Sequence, residues 1–590
     1  MTFTTRPTLR GTFGMVSSTH WLASQSAMRM LELGGNAFDA AACAGFVLHV
    51  VEPHLNGPGG EVPAIVATAE DPTPRVLCGQ GVAPAGATIQ HFRDLGLSLI
   101  PGSGPLAAAV PGAVDAWLLL LRDHGTLPLR TVLEPAIDYA RNGHPAVGRV
   151  GDTVATVQEL FTEYWPTSAA LWLQNGRPPA PNELIKNPAY ADTLERLVLS
   201  AEGAGPDLVA QVERARVTWR EGFVAEAIDE FSRLPHRDSS GEDHAGLITG
   251  ADVAGFTASW EDAATLDWHG HTVAKTGPWG QGPALLQSLA VLAELGDPAD
   301  LDLTSAEAVH TTVEVMKLSY ADREAWYGDA ADVPLKTLLS PTYAASRAAL
   351  IGAEASLELR PGSPDGRRPS LASVATGKEL GDATTGEPTV AADGGTRGDT
   401  CHVDVADRWG NVISATPSGG WLQSSPTIPS LGFCLGSRLQ MFWLEEGLAS
   451  SLAPGIRPRT TLTPTLVLRD GVPVLACGSP GGDQQDQWQL LFLLRHLTGG
   501  QELQEAIDAP AWHTTGFPSS FYPRATEPGG LVIENRLGAA VRDELAGRGH
   551  VVTESDAWSL GRLCAVAREP GGVLSAAANP RGMQGYAVGR

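Results

Sequence analysis

Apolar residues recur every three or four positions from early in the chain. Between His20 and Leu33, the residues Leu22, Ala23, Ala27, Met30 and Leu31 fall largely on one helical face, and Gly34-Gly35 supplies a C-terminal stop. Asn36 is placed to cap a second helix over residues 37–50, which must end before Pro53. The same period predicts helices around Ala113–His124, Leu129–Asn142, residues 284–295 and residues 305–327, with short strands such as residues 64–68 between them. From Leu359 to Asp399 the period is lost. The run Arg360-Pro-Gly-Ser-Pro-Asp-Gly-Arg-Arg-Pro and the later Ala392-Asp-Gly-Gly-Thr-Arg-Gly-Asp399 are polar and rich in turn formers, which predicts a mobile segment over 359–399; a plain linker is the other reading.

Order resumes at Thr400. Residues 402–406 alternate as a strand, Asp407-Arg-Trp-Gly-Asn411 reads as a turn, and Val412–Ala415 as the returning strand. Further strands are expected over 462–468, 473–477, 563–567 and 574–578. A helix-rich part, residues 1–399, followed by a strand-rich part, residues 400–590, predicts a layered α/β or α+β architecture.

Composition narrows the function classes. A chain of 590 residues with 43% hydrophobic content can bury a large core. The formal charge of −25 argues against nucleic acid as a partner, because phosphate recognition needs a basic surface. No apolar run reaches the roughly 18 residues of a membrane span; the longest, Ala40 to Val51, is interrupted by His49 and reads as a buried helix. The first residues, Met1 to Met15, lack an apolar targeting core. Cys43, Cys78, Cys401, Cys434, Cys477 and Cys564 are scattered without metal-ligand spacing, so reduced thiols, a cytoplasmic location and no metal or cofactor are the expectation.

Two features carry candidate chemistry. A threonine that follows Gly398-Asp399 and begins a strand becomes an N-terminus if the chain is cut before it. Its α-amine, with an unperturbed pKa of roughly 7.7–8.0, can then take the proton of its own hydroxyl. Gly478-Ser-Pro-Gly-Gly482, at the end of an apolar run, lets backbone N–H groups face a developing oxyanion. Each also has an ordinary reading, a capping threonine and a glycine turn.

The motifs together resemble one family. Gly14-Met-Val-Ser-Ser18, Leu33-Gly-Gly-Asn-Ala-Phe-Asp-Ala-Ala41, Val51-Glu-Pro-His-Leu-Asn-Gly-Pro-Gly-Gly60 and Val110-Pro-Gly-Ala-Val-Asp-Ala-Trp117 look like the opening signatures of γ-glutamyltransferases. Ser319-Tyr-Ala-Asp-Arg323, Leu338-Leu-Ser-Pro-Thr-Tyr343, Thr400-Cys-His-Val-Asp-Val-Ala-Asp-Arg-Trp-Gly-Asn411, Arg459-Thr-Thr-Leu-Thr-Pro-Thr465, Gly478–Gly482 and Asn579-Pro-Arg-Gly582 continue the match in order. The resemblance implies an N-terminal-nucleophile (Ntn) hydrolase fold, a four-layer αββα sandwich. It implies a precursor that cuts itself between Asp399 and Thr400 into large and small fragments that stay associated as a heterodimer. Thr400 would attack an amide carbonyl of a small-molecule substrate, Gly481 and Gly482 would form the oxyanion hole, and the Ser418 hydroxyl would orient the nucleophile's amine.

Recognition of the glutamyl group departs from the family pattern. The arginine that holds the α-carboxylate aligns with Ile89, and the aspartate that holds the α-amine aligns with Met441. The serine pair is Thr460-Thr461, and an asparagine is Gly420. Losing two charge-assisted contacts of roughly 1.5–3 kcal/mol each predicts an acylase or amidohydrolase branch acting on a non-glutamyl amide. Trp421 and Arg438 are expected in the substituted pocket, Arg438 as a possible partner for a different carboxylate. A glutathione hydrolase, an uncleaved binding protein with Cys401 in place of a second threonine, and a metal enzyme built on His269-Gly-His271 are the alternatives. No Gly-x-Ser-x-Gly elbow supports a serine α/β-hydrolase.

Overall fold

The computed structural model describes residues 3–329, 332–373 and 400–590. The first predicted helix forms over Trp21–Glu32; Gly34 takes φ 94° and the Gly35 N–H closes on the Met30 carbonyl at 3.0 Å. The second, Ala37–Val51, opens with a capping box in which Asn36 accepts from Asp39 N while Asp39 accepts from Asn36 N at 2.9 Å. Its small residues allow close helix packing: a Cβ on Gly45 would stand 2.4 Å from the Trp117 ring of the helix Ala113–His124.

Asp39 does more than cap. Its buried carboxylate also accepts from Thr126 N (3.0 Å), Thr126 Oγ1 (2.6 Å) and Leu127 N (3.2 Å), tying the helix start to the loop after residue 124. An Asp39→Ala variant leaves several buried donors unmet. It is expected to lose about 3 kcal/mol of stability, seen as a lower midpoint in thermal or urea unfolding.

Two seven-stranded antiparallel sheets form the centre. One runs Tyr586–Gly589, Gly14–Ser18, Val403–Asp407, Val412–Ala415, Val62–Ala67, Arg75–Gly79, Ser259–Asp262. The other runs Leu9–Gly11, Leu574–Ala578, Cys564–Arg568, Val472–Gly478, Thr465–Arg469, His271–Lys275, Ala264–Trp268. Met15, Ile65, Ala274, Leu466, Ala476 and Val566 meet between them. The helices Trp21–Glu32, Ala37–Val51 and Ala113–His124 cover the first sheet, and Gly282–Ala293, Ala306–Trp326 and Gln485–Leu493 cover the second. This is the αββα sandwich. Strand alternation explains the layering: Val403 and Val405 point to the helices, while Ala406 points to the opposite sheet.

Both halves of the sequence contribute to both sheets. The strand Val403–Asp407 lies between Gly14–Ser18 and Val412–Ala415, so residues after 400 are paired on one side with the start of the chain. Residues 359–373, expected to be mobile, are held to the body. Arg360 pairs with Glu314 at 3.1 Å, Gly362 N donates to Asp322 at 2.6 Å, and Ser373 N donates to Glu445 at 2.9 Å. The remainder of that predicted segment, including Asp399, lies outside the described residues. In His269-Gly-His271, His269 (φ 47°) and Gly270 (φ 75°) make the hairpin turn after Ala264–Trp268, and His271 opens the returning strand His271–Lys275. Among the described residues no helix is long and apolar enough to cross a membrane.

Candidate active site

Thr400 stands just before its strand, buried, and bridges to Ser418 on the chain that returns from Val412–Ala415. The two hydroxyl oxygens are 3.2 Å apart. Ser418 is clamped by main-chain bonds in both directions to Glu61, N to O and O to N, each 2.9 Å. The turn Ser418-Gly-Gly-Trp421 packs onto the glycine loop 57–60 so tightly that side chains are excluded. A Cβ on Gly60 would meet the Ser418 carbonyl at 2.1 Å, and one on Gly420 (φ 63°) would meet Gly60 N at 2.8 Å. A side chain at position 420 requires the 57–60 loop to shift.

A buried ion pair completes this side. Arg438 Nε donates to Glu61 Oε1 at 2.6 Å, and Arg438 Nη2 donates to Ser418 Oγ at 3.1 Å. Burial pushes the Glu61 carboxyl above its ordinary pKa, opposed by the Arg438 charge. The guanidinium lies 5.3 Å from the centre of the Trp421 ring and 5.9 Å from that of Phe521, which cluster with Met441. Trp421 Nε1 donates to the Leu55 carbonyl at 2.8 Å. Ile89 packs against the neighbouring cluster that contains Leu439 and Phe442. Met441 thus lies beside Arg438 and Trp421, whereas Ile89 belongs to a separate apolar cluster.

Behind Thr400, the Cys401 thiol donates to Glu52 Oε2 at 3.0 Å, and Glu52 also accepts from Thr19 Oγ1 at 2.6 Å. Asn56 Nδ2 reaches Cys401 Sγ at 3.1 Å. Burial raises the pKa of both Glu52 and Cys401, so the thiol acts here as a donor held in place rather than as a thiolate. His402 pairs with Asp404 at 2.8 Å and with Thr416 Oγ1 at 3.0 Å.

The glycine run approaches from the opposite sheet. Gly478 ends its strand against the His402 ring, where a Cβ would stand 2.1 Å from the imidazole. Gly481 (φ 126°) and Gly482 (φ 53°) follow, buried, and among the described residues neither N–H meets an acceptor. Gln281 N donates to the Thr460 carbonyl at 3.0 Å and Gln281 Nε2 to the Gly482 carbonyl at 3.3 Å. The Gln485 amide nitrogen, in the orientation its surroundings require, donates to the carbonyls of Ser479 (3.1 Å) and Thr461 (3.2 Å). These two glutamines hold Thr460-Thr461 beside Gly481-Gly482. The Thr461 hydroxyl has no partner among the described residues, nor do the ring nitrogens of the buried His54.

Glu61, Glu52 and Gln281 do not figure among the sequence candidates, whereas Gln485 belongs to the polar run Gly482-Asp-Gln-Gln-Asp-Gln-Trp488 expected next to the glycine pair. A signal for Glu61 exists: an acid heading the apolar strand Val62–Ala67 needs a buried cation, and Arg438 sits in the equally apolar stretch from Phe433 to Phe442. Among the described residues, His310, Glu314 and His550 are the one group spaced to hold a metal. There His310 Nε2 bonds the Gly352 carbonyl at 2.8 Å, and Glu314 is taken by Lys317 and Arg360.

A buried threonine just ahead of a central strand, with a hydroxyl partner, in an αββα sandwich fits an Ntn-hydrolase architecture. The gamma-glutamyltranspeptidase family model matches residues 23–589, and the chain belongs to that family. It is 31% identical to the glutathione hydrolase-like YwrD proenzyme of Bacillus subtilis (strain 168) over 98% of this chain and 99% of that one. It is 29% identical to the acylase ACY 1 proenzyme of Pseudomonas sp. (strain SE83), over 96% and 92% of the two chains. The solved protein LmbA2991HD superposes with a TM-score of 0.94 at 60% identity, covering 100% of both chains.

Proposed function

We propose that this protein cuts itself between Asp399 and Thr400 and then hydrolyses a small amide, or transfers its acyl group, through an acyl ester on Thr400. The observation that carries the reading is the approach of Thr400 Oγ1 to Ser418 Oγ, 3.2 Å, in a buried site, two residues before the His402 ring that packs on Gly478 of the glycine run. In the precursor, Thr400 Oγ adds to the Asp399 carbonyl, and the peptide C–N bond breaks as the nitrogen takes a proton. Water then hydrolyses the resulting ester, leaving Thr400 with a free amine. In turnover that amine takes the hydroxyl proton as Oγ adds to the substrate carbonyl. Gly481 and Gly482 N–H stabilise the oxyanion. The proton passes to the departing amine, and water or another amine releases the acyl group.

Relatives of both kinds, a glutathione hydrolase-like protein and an acylase, match almost the full length. The apolar Ile89 and Met441 favour the acylase branch, because neither offers a charge to a glutamyl α-carboxylate or α-amine. Intact-mass analysis of the purified protein tests the first step: two fragments are expected, the smaller beginning at Thr400. Assays on γ-glutamyl-p-nitroanilide beside p-nitroanilides of simple acyl chains test the second. The glutamyl substrate is expected to be turned over at least a hundredfold less efficiently, since about 3 kcal/mol or more of recognition is missing. Parity between the two sets would return the protein to the glutathione hydrolases, and a single uncut chain would leave a binding protein.

A further inference from the structure

Arg438 is the one cation that touches the Thr400–Ser418 pair among the described contacts, and its position is built rather than incidental. Glu61 brackets Ser418 through its main chain and holds Arg438 Nε through its carboxylate at 2.6 Å, while Arg438 Nη2 donates to Ser418 Oγ at 3.1 Å. Gly419 (φ 71°) presses on the other side of the carboxylate, where a Cβ would come within 2.6 Å of Glu61 Oε2. All four side chains, Glu61, Arg438, Ser418 and Thr400, are buried. Trp421 and Phe521 lie within 6 Å of the guanidinium, and Arg438 Nη1 contacts Met441 Sδ at 3.7 Å.

We propose that Glu61 and Arg438 are positioning residues that set the protonation of the nucleophile: Arg438, steered by Glu61, orients the Ser418 hydroxyl and keeps the Thr400 amine neutral. This rests on the reading of Thr400 as an N-terminal nucleophile. Ser418 Oγ can accept two hydrogen bonds and donate one. With one acceptor site occupied by Arg438, the Ser418 hydroxyl has fewer orientations left, and Thr400 Oγ1 at 3.2 Å lies within its reach. The electrostatic part follows from sign alone: a fixed cation disfavours the ammonium form of a nearby amine and lowers its pKa, whereas an anion raises it. The amine must be neutral to act as base, so its pKa sets the acid limb of the pH–rate profile. The other charged or titratable groups facing the nucleophile are Glu52 and Arg562, which act through Cys401, and the His402–Asp404 pair on the same strand. They remain unchanged in the variants below. Arg438 therefore serves the nucleophile rather than a carboxylate of the substrate.

The test is the pH dependence of kcat/KM in self-processed protein, wild type against Glu61→Gln, Arg438→Met and Arg438→Lys. Glu61→Gln keeps an acceptor for Arg438 but removes the anion, and its acid limb is expected to move down by about one pH unit. Arg438→Met is expected to move the limb up by about one pH unit, and Arg438→Lys to restore it. A full charge ~6 Å away at an effective dielectric near ~20 shifts an amine by about two pH units, so one unit is the smallest movement expected. Should Arg438→Met fail to fold or to process, Glu61→Gln and Arg438→Lys still carry the test. Limbs that stay in place while KM rises for carboxylate-bearing amides would make Arg438 a substrate ligand and overturn the proposal. Limbs and KM both in place, with only a lower melting temperature, would make the pair purely structural and overturn it as well. A wild type that is neither cut nor active would instead remove the nucleophile reading itself.

Discussion

A Thr400→Ala chain is expected to remain in one piece and to hydrolyse no amide, while folding as the wild type does. The substitution deletes one oxygen and one methyl group at a buried position. Ser418 keeps its bond to Arg438 and both main-chain bonds to Glu61, so among the described residues one side-chain hydrogen bond, of 3.2 Å, is lost. A loss of about 1 kcal/mol is the expected stability cost, within reach of a melting curve. The chemical cost is of another order. Without Oγ1 there is no atom to attack Asp399, hence no new N-terminus and no amine base. Removing the nucleophile from a comparable acyl-transfer site costs on the order of 10⁶ in kcat. Intact mass and turnover are both expected at background. Thr400→Ser keeps the hydroxyl and is expected to cut and turn over, more slowly, because the methyl that restricts χ1 is gone. Cleavage at the same bond in Thr400→Ala would place the nucleophile elsewhere.

The elements of this fold were legible in proportion to how local their cause was. Helix boundaries fixed by a cap or a breaker fell where the pattern put them: Asn36 opens Ala37–Val51, Ser305 opens Ala306–Trp326, and the expected turn at 407–411 joins Val403–Asp407 to Val412–Ala415. The helix expected from residue 284 begins at Gly282, since Pro283 fits the first turn. Strands were recognised mainly after Thr400. Leu9–Gly11 and Ser259–Asp262 are short and at sheet edges, and Arg75–Gly79 follows a proline-rich turn, so none shows a period of its own. Nothing local records that Gly14–Ser18 pairs with Val403–Asp407 across nearly four hundred residues; that pairing is set by burial on both faces.

The site divided in the same way. The glycines of 57–60, 419–420 and 481–482 advertise close approach through their residue type, and the structure gives each such an approach or a left-handed backbone. Arg438 was visible as an isolated charge, but its partner was not, because Glu61 lies 377 positions away. Gln281, which joins Thr460 to Gly482, was invisible for the same reason: an amide side chain shows no preference for burial until its partners are known.

Gly481→Ala is expected to lower kcat by about 10²–10³ with little change in KM, the effect of misplacing oxyanion donors rather than of losing a binding contact. Gly481 sits at φ 126°, ψ 28°, which an L-residue adopts only at a cost of about 1–3 kcal/mol. Its Cβ would also lie 2.3 Å from Trp488 Cζ3. The indole cannot retreat: Trp488 is fully buried against Ala511, Val532 and Leu560. The backbone must move instead, and with it the Gly481 and Gly482 N–H groups to which the proposed mechanism assigns the oxyanion. A matched control separates strain from chemistry. Gly471, at φ 76° in the turn before Val472–Gly478, has no atom within 4 Å of its added Cβ, so Gly471→Ala carries backbone strain without displacing the site. Both variants are expected to melt earlier, and only Gly481→Ala to lose turnover. If the two retained equal kcat, the glycine run would be a structural turn, and the oxyanion would have to be stabilised by other donors around Thr400.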